Sequence, residues 1–186
     1  MVPIPELWLP ILLSAVVTFI LSSIIHMVLG YHKNDFSALP NEKQVLDDLG
    51  KHKLQEGNYS FPRANSMKDM KSTEFIEKMK HGPVGMMTIT KSGPPNMGKE
   101  LTLWFIYSII VGLFAAYIAG NALAPGAHYL AVFRFAGATA FVGYSLALLQ
   151  SSIWYKRSWS ATFKSMFDGL IYALFTGGIF GWLWPM

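Results

Sequence analysis

The chain has 186 residues, 52% of them hydrophobic and only 14% charged, and its mean hydropathy of +0.34 is high for a soluble domain. It contains no cysteine, which excludes disulfides, thiolate zinc sites, iron–sulfur clusters and a cysteine nucleophile. The net charge of +4 does not point to nucleic acid: 11 of the 15 Lys and Arg lie in one polar stretch beside 9 of the 11 acids, and the remaining four border or enter apolar runs.

The first apolar run is Leu7–Leu29 (span about 7–30), long enough to cross a hydrocarbon core about 30 Å thick. It has no basic n-region and no small-residue cleavage site, so it reads as a retained span rather than a signal peptide. Trp8 marks one interface, and Tyr31, His32 and Lys33 mark the other. Ser14, Thr18, Ser22, His26 and Gly30 recur every four positions, a stripe that winds by about 40° per step and should face protein rather than lipid.

A polar insert follows, Tyr31–Glu100. Asn41–His52 has helical spacing in Val45, Leu46 and Leu49, and Leu54–Pro62 reads as extended with Gly57-Asn58 as a turn. Ser66–Lys80 reads as helical: Ser66 and Asp69 have capping-box spacing, Ser72 offers a second start, and Phe75, Ile76 and Met79 form one apolar face. Val84–Thr90 suits a short strand or a surface-lying segment, and Ser92–Gly98 is a Pro/Gly loop. Fewer than 70 residues with so few large apolar side chains bury little area, so the insert should rest on its own bundle or on a partner.

Three further runs complete the chain: Leu101–Leu123, His128–Leu149 and Phe167–Trp184 (spans about 101–123, 128–149 and 167–184). Each carries small residues four apart: Gly112, Ala116 and Gly120; Ala136, Ala140, Gly143 and Ala147; Gly169, Ala173, Gly177 and Gly181. Small residues at this spacing let helix backbones approach closely, and in lipid that packing replaces the hydrophobic force. Trp104, Trp182 and Trp184 are candidate interface anchors. The expected fold is an all-α four-helix transmembrane bundle, one membrane domain, with a partly helical polar insert between spans 1 and 2. The N-terminus, the Gly120–Ala127 turn and Pro185-Met186 lack Lys and Arg, whereas the insert and the Gln150–Met166 connection are basic. The positive-inside rule then places the insert in the cytoplasm and both termini outside.

Candidate chemistry is sparse. His26 could ligate a haem or chlorin or relay protons, or simply hydrogen-bond a neighbouring helix, since no second intramembrane histidine matches its depth. His32, His52 and His81 lack metal-site spacing, and neither a metal nor a cofactor is expected. Arg134, about six residues into the third span, suits an anion or lipid-headgroup site, or a structural pair with Glu6. Asp168, with Ser165 three residues before it, reads as a helix cap. Lys156 and Arg157 lie in an aromatic–basic patch, Gln150–Trp159, suited to anionic lipid, to a docked partner, or equally to an ordinary interface belt. Phe75, Ile76, Met79, Met86 and Met87 form an adaptable contact surface. No Walker loop, GxGxxG, GxSxG, HExxH or paired intramembrane carboxylates are present, which points away from an enzyme.

Ile25-His26-Met27-Val28-Leu29-Gly30-Tyr31-His32, Gly98-Lys99 before the second span, and Gly181-Trp182-Leu183-Trp184-Pro185 resemble small four-span proteins of bacterial inner membranes with a polar insert after the first span. The resemblance implies a bacterial inner membrane and brings no activity with it. The expected function is a non-catalytic accessory or assembly subunit of a larger membrane complex, with the lipid bilayer and other membrane subunits as partners. A small homo-oligomeric transporter or channel, and a His-ligated cofactor protein, are the alternatives.

Overall fold

The computed structural model describes residues 1–94 and 96–186. The chain is mostly helical and divides into two compact units, Met1–Phe36 with Asn96–Met186, and Ser37–Pro95. The polar excursion therefore begins later than its composition suggests. Tyr31–Phe36 belong to the helical unit.

In that unit α1 (Trp8–Ile24) follows a 3₁₀ turn and ends in a π-helical turn, Ile25–Leu29. The other long helices are α4 (Met97–Ala122), α5 (Tyr129–Tyr144) and α7 (Trp159–Trp182), and each neighbour in the ring α1–α4–α5–α7 packs on the next. Three helical stretches are long and apolar enough to cross a membrane: Ile4–Leu29, Met97–Ala122 and Tyr129–Ile153. α7 has comparable length but carries Lys164 and Asp168 in its first half.

Eight of the eleven small residues four apart do what their spacing predicts, while Gly143 and Gly181 are half-buried and Ala147 is exposed. Gly112, Ala116 and Gly120 of α4, Ala136 and Ala140 of α5, and Gly169, Ala173 and Gly177 of α7 are all buried. The closest approach is between α5 and α7. A β-carbon on Gly177 would lie 2.8 Å from the Phe133 carbonyl oxygen and 3.1 Å from Gly137 Cα, both backbone atoms that cannot swing aside. Gly177→Ala should therefore push the two helices apart and destabilise the unit by about 1–3 kcal/mol, the usual range for overpacking, read as a lowered unfolding midpoint in detergent.

The third apolar run is not one straight helix. α5 stops at Tyr144, because Ser145 turns out of helical geometry and donates its hydroxyl to the Met166 carbonyl of α7 at 3.1 Å. A 3₁₀ turn and the short α6 (Leu149–Ile153) carry the chain on, so Ala147 of the expected stripe is exposed. α7 then starts eight residues before the expected Phe167, held to α6 by the buried Ser152–Thr162 hydroxyl pair at 2.7 Å.

Two apolar clusters fill the ring. At the end carrying both termini, Val2, Leu7, Ala119, Val132 and Phe180 pack together. There the Val2 N–H donates to the Gly120 carbonyl at 2.8 Å, and the Trp184 indole donates to the Ala124 carbonyl at 3.0 Å. At the opposite end Ile25, Val111, Ala140, Tyr144, Tyr172 and Ala173 form the second cluster, with Trp104 against it. Trp104 and Trp184 are thus packing residues rather than exposed anchors, and the Trp104 indole donates to Ser22 Oγ at 2.9 Å. Trp182 alone of the three is exposed.

In the second unit α2 (Glu42–Lys51) leads to a hairpin of β1 (Gly57–Phe61) and β2 (Gly85–Ile89), paired antiparallel, with α3 (Thr73–His81) between the strands in sequence. Gly57 and Asn58 lie inside β1 opposite Ile89 and Thr88, so the expected turn there is absent: pairing with β2 extends the backbone. Ser72 caps α3 by accepting from the Phe75 N–H. Both strands alternate half-buried and exposed, and no described residue of this unit is buried.

Candidate functional site

The helical unit gathers its polar side chains at one place, beside the π turn. A π turn is wider than an α turn by one residue, so the four-residue stripe is thrown out of register there. Ser14, Thr18 and Ser22 are buried, but beyond them Ile25 takes the inward position and His26 is exposed. Gly30 follows in the left-handed region at φ 65°, open to glycine without strain, and stops the helix. The Lys33 N–H closes a turn on the Gly30 carbonyl at 3.2 Å, and the Asp35 N–H closes another on the His32 carbonyl at 3.0 Å. These turns fold Tyr31, His32 and Asp35 back toward α7.

From α7 come Lys164 and Asp168, four residues apart and hence on one face. Asp168 is only 3% exposed, and a buried carboxylate is tolerated only when hydrogen-bonded or paired. Its two oxygens are both engaged: the Tyr31 hydroxyl donates to Oδ1, and His32 Nε2 lies 2.8 Å from Oδ2. The other ring nitrogen, His32 Nδ1, lies 2.6 Å from Asp35 Oδ2. Lys164 Nζ donates to Asp35 Oδ1 and to the Tyr31 carbonyl, both at 2.8 Å. The result is a continuous chain, Lys164–Asp35–His32–Asp168–Tyr31. With His32 protonated it contains two cations and two anions, and every bond has a donor and an acceptor.

The electrostatics of the turn follow from these contacts. The Lys164 ammonium, and after it His32, hold the Asp35 carboxyl below its ordinary 3.8. Burial, and after it the bond to Asp168, push the Tyr31 hydroxyl well above its ordinary 10, so it remains a donor.

His26 stands beside this chain. Its ring centroid is 4.6 Å from that of His32, tilted by 44°, and it makes no side-chain hydrogen bond among the described residues. The expected bond to a neighbouring helix is not present. Ligand atoms of His26, His32 and Asp168 all lie within 4.8 Å of one another, so these three could hold a cation. The cluster otherwise offers proton-exchanging groups: two imidazoles, two carboxylates, a phenol and an ammonium.

Asp168 is not a cap. The helix it was expected to begin starts at Trp159, so Asp168 falls in its third turn, and its partners are Tyr31 and His32 rather than Lys156, Arg157 or Lys164. His32 likewise leaves the polar insert and becomes the centre of the site. A missed signal lay in Gly30 directly after the last apolar residue, the usual mark of a left-handed helix stop.

The remaining expected residues are dispersed. Arg134 is exposed on α5, lines open clefts with Phe135 and Ala138, and makes no ion pair with Glu6 among the described residues. Lys156, left-handed at φ 57°, donates to the Ile153 carbonyl at the end of α6, and Arg157 donates to Ser165 Oγ at 3.2 Å. In the second unit Ile76, Met79 and Met86 are exposed, and Phe75 and Met87 are half-buried. Met86 and Met87 are adjacent in β2 and point to opposite faces of the hairpin. No protein-family model, curated protein or solved structure matches the chain.

Proposed function

We propose that the protein is a four-span membrane protein of a bacterial inner membrane that serves as a non-catalytic accessory or assembly subunit of a larger complex. In this reading α1, α4, α5 with α6, and α7 are the spans, both termini lie outside, and Ser37–Pro95 lies in the cytoplasm. The distribution of Lys and Arg supports that orientation.

The observation that carries the reading is the absence of any buried residue among the described residues of Ser37–Pro95. Two helices and a hairpin with no buried side chain have little to set against the entropy of ordering, so a partner surface should complete their core. The uncovered apolar side chains are large: Met67 is 73% exposed, Val84 54% and Met86 53%. Phe75, Ile76 and Met79 on α3, with Met86 and Met87 on β2, are the proposed contacts.

A mild-detergent pull-down of the tagged chain from its native membrane tests this. Stoichiometric recovery of larger membrane subunits is expected, and the pair Phe75→Asp with Met79→Asp should abolish it while leaving the helical unit folded. Recovery of the chain alone, with Ser37–Pro95 resistant to protease, would overturn the reading.

A further inference from the structure

We propose that His26, His32 and Asp168 form a binding site for one divalent first-row transition-metal ion, oriented by Asp35 and Tyr31. The inference stands apart from the accessory-subunit reading and does not depend on it.

The donor set comes first. Two imidazoles and one carboxylate suit zinc, iron(II), cobalt or manganese, whereas magnesium and calcium take oxygen ligands. Around such an ion, ligands at about 2.0–2.2 Å stand roughly 3–3.5 Å apart. The three donor atoms already lie within 4.8 Å of one another, and His32 Nε2 to Asp168 Oδ2 is 2.8 Å. Only His26 has to move appreciably, and it is free to do so: it is exposed and carries no side-chain hydrogen bond among the described residues. The ion takes the place of the proton between His32 Nε2 and Asp168, and that proton leaves to solvent.

The surroundings of the donors are a second, independent observation. A metal-ligating histidine characteristically donates its other ring nitrogen to a carboxylate, which fixes the ring and the tautomer. His32 does this: Nδ1 faces Asp35 Oδ2 at 2.6 Å, and Lys164 holds Asp35 from its other oxygen. Ligating carboxylates are in turn hydrogen-bonded. Asp168 has its second oxygen held by the Tyr31 hydroxyl. One turn on, on the same face of α7 as Asp168, the buried Tyr172 hydroxyl has no hydrogen-bond partner among the described residues. A plain structural salt bridge would not need the spare imidazole of His26, 4.6 Å from that of His32.

The test uses the full chain in detergent, titrated with Co(II). Expected are one equivalent bound per chain, visible d–d bands, displacement by Zn(II) and indifference to excess Mg(II). His26→Ala removes an exposed ligand that holds nothing else, so it should keep the wild-type unfolding midpoint and weaken Co(II) at least tenfold. Asp35→Asn should weaken binding by about 10–100-fold and shift the bands, as loss of a positioning partner does. Asp168→Asn should abolish the bands. No saturable Co(II) binding by the folded wild-type chain would overturn the proposal. Binding that survives His26→Ala and Asp168→Asn unchanged would overturn it equally, placing the ion elsewhere.

Discussion

Asp168→Ala is expected to lower the stability of the helical unit by about 3–5 kcal/mol, the range for removing one partner from a buried, hydrogen-bonded pair. The carboxylate joins the turn after α1 to the third turn of α7 through two separate side chains, Tyr31 and His32, beside the Lys164 link to Asp35 and the Tyr31 carbonyl. Its loss leaves the Tyr31 phenol and the His32 imidazole without the carboxylate that engaged both, in a site where Asp168 was 3% exposed. Asp168→Asn keeps the volume and one acceptor but turns an NH₂ toward one of the two donors, so an intermediate loss should follow. Unfolding in detergent by heat or denaturant, monitored by helix content, reads both. An Asp168→Ala protein that unfolds with the wild type would show that the polar chain is not what fastens the turn to α7.

The helices were legible because their signals are local. Apolar runs, small residues four apart and Ser72 as a cap all act within a few positions; three of the four runs lie in helices apolar enough to cross a membrane, most of the small residues are buried, and Ser72 caps α3. The polar chain was not legible for the opposite reason. His32 and Asp168 are 136 residues apart, and nothing near either one announces the other. Reading Asp168 as a cap rested on Ser165 three residues before it, a spacing that costs nothing to match by chance. The longer-range facts overrode it: α7 begins at Trp159, where Ser160, Thr162 and Lys164 lower the apolar signal that would have placed its start. The break at Ser145 was hidden similarly, since the bond that stabilises it runs to Met166 on another helix. His26 shows a third kind of limit. Counting by four assumes an α-helix to the end, and the π turn at Ile25–Leu29 exchanges the inward position from His26 to Ile25.

Phe180→Ala, at the other end of the unit, should cost about 2 kcal/mol, less than the 3–5 kcal/mol usual for a soluble core. Phe180 is 0% exposed and packs among Val2, Leu7, Val132 and Trp184, so truncation leaves a hole that small neighbours such as Ala119 and Ala136 cannot fill. Two terms make up the usual figure: transfer of the lost surface out of water, and the cavity. On the proposed four-span reading α7 lies in lipid beside the three helices apolar enough to cross a membrane, its unfolded reference is itself apolar, and the transfer term nearly vanishes. The cavity term remains, roughly 24 cal/mol per Å³ over a lost volume of roughly 100 Å³. Because the Phe180 and Asp168 groups share no partner, the double substitution should lose the sum of the two within about 0.5 kcal/mol. A Phe180→Ala loss of 4 kcal/mol or more, measured in the same detergent, would mean that this end of the bundle exchanges with water on unfolding, and that α7 does not enter an apolar phase there.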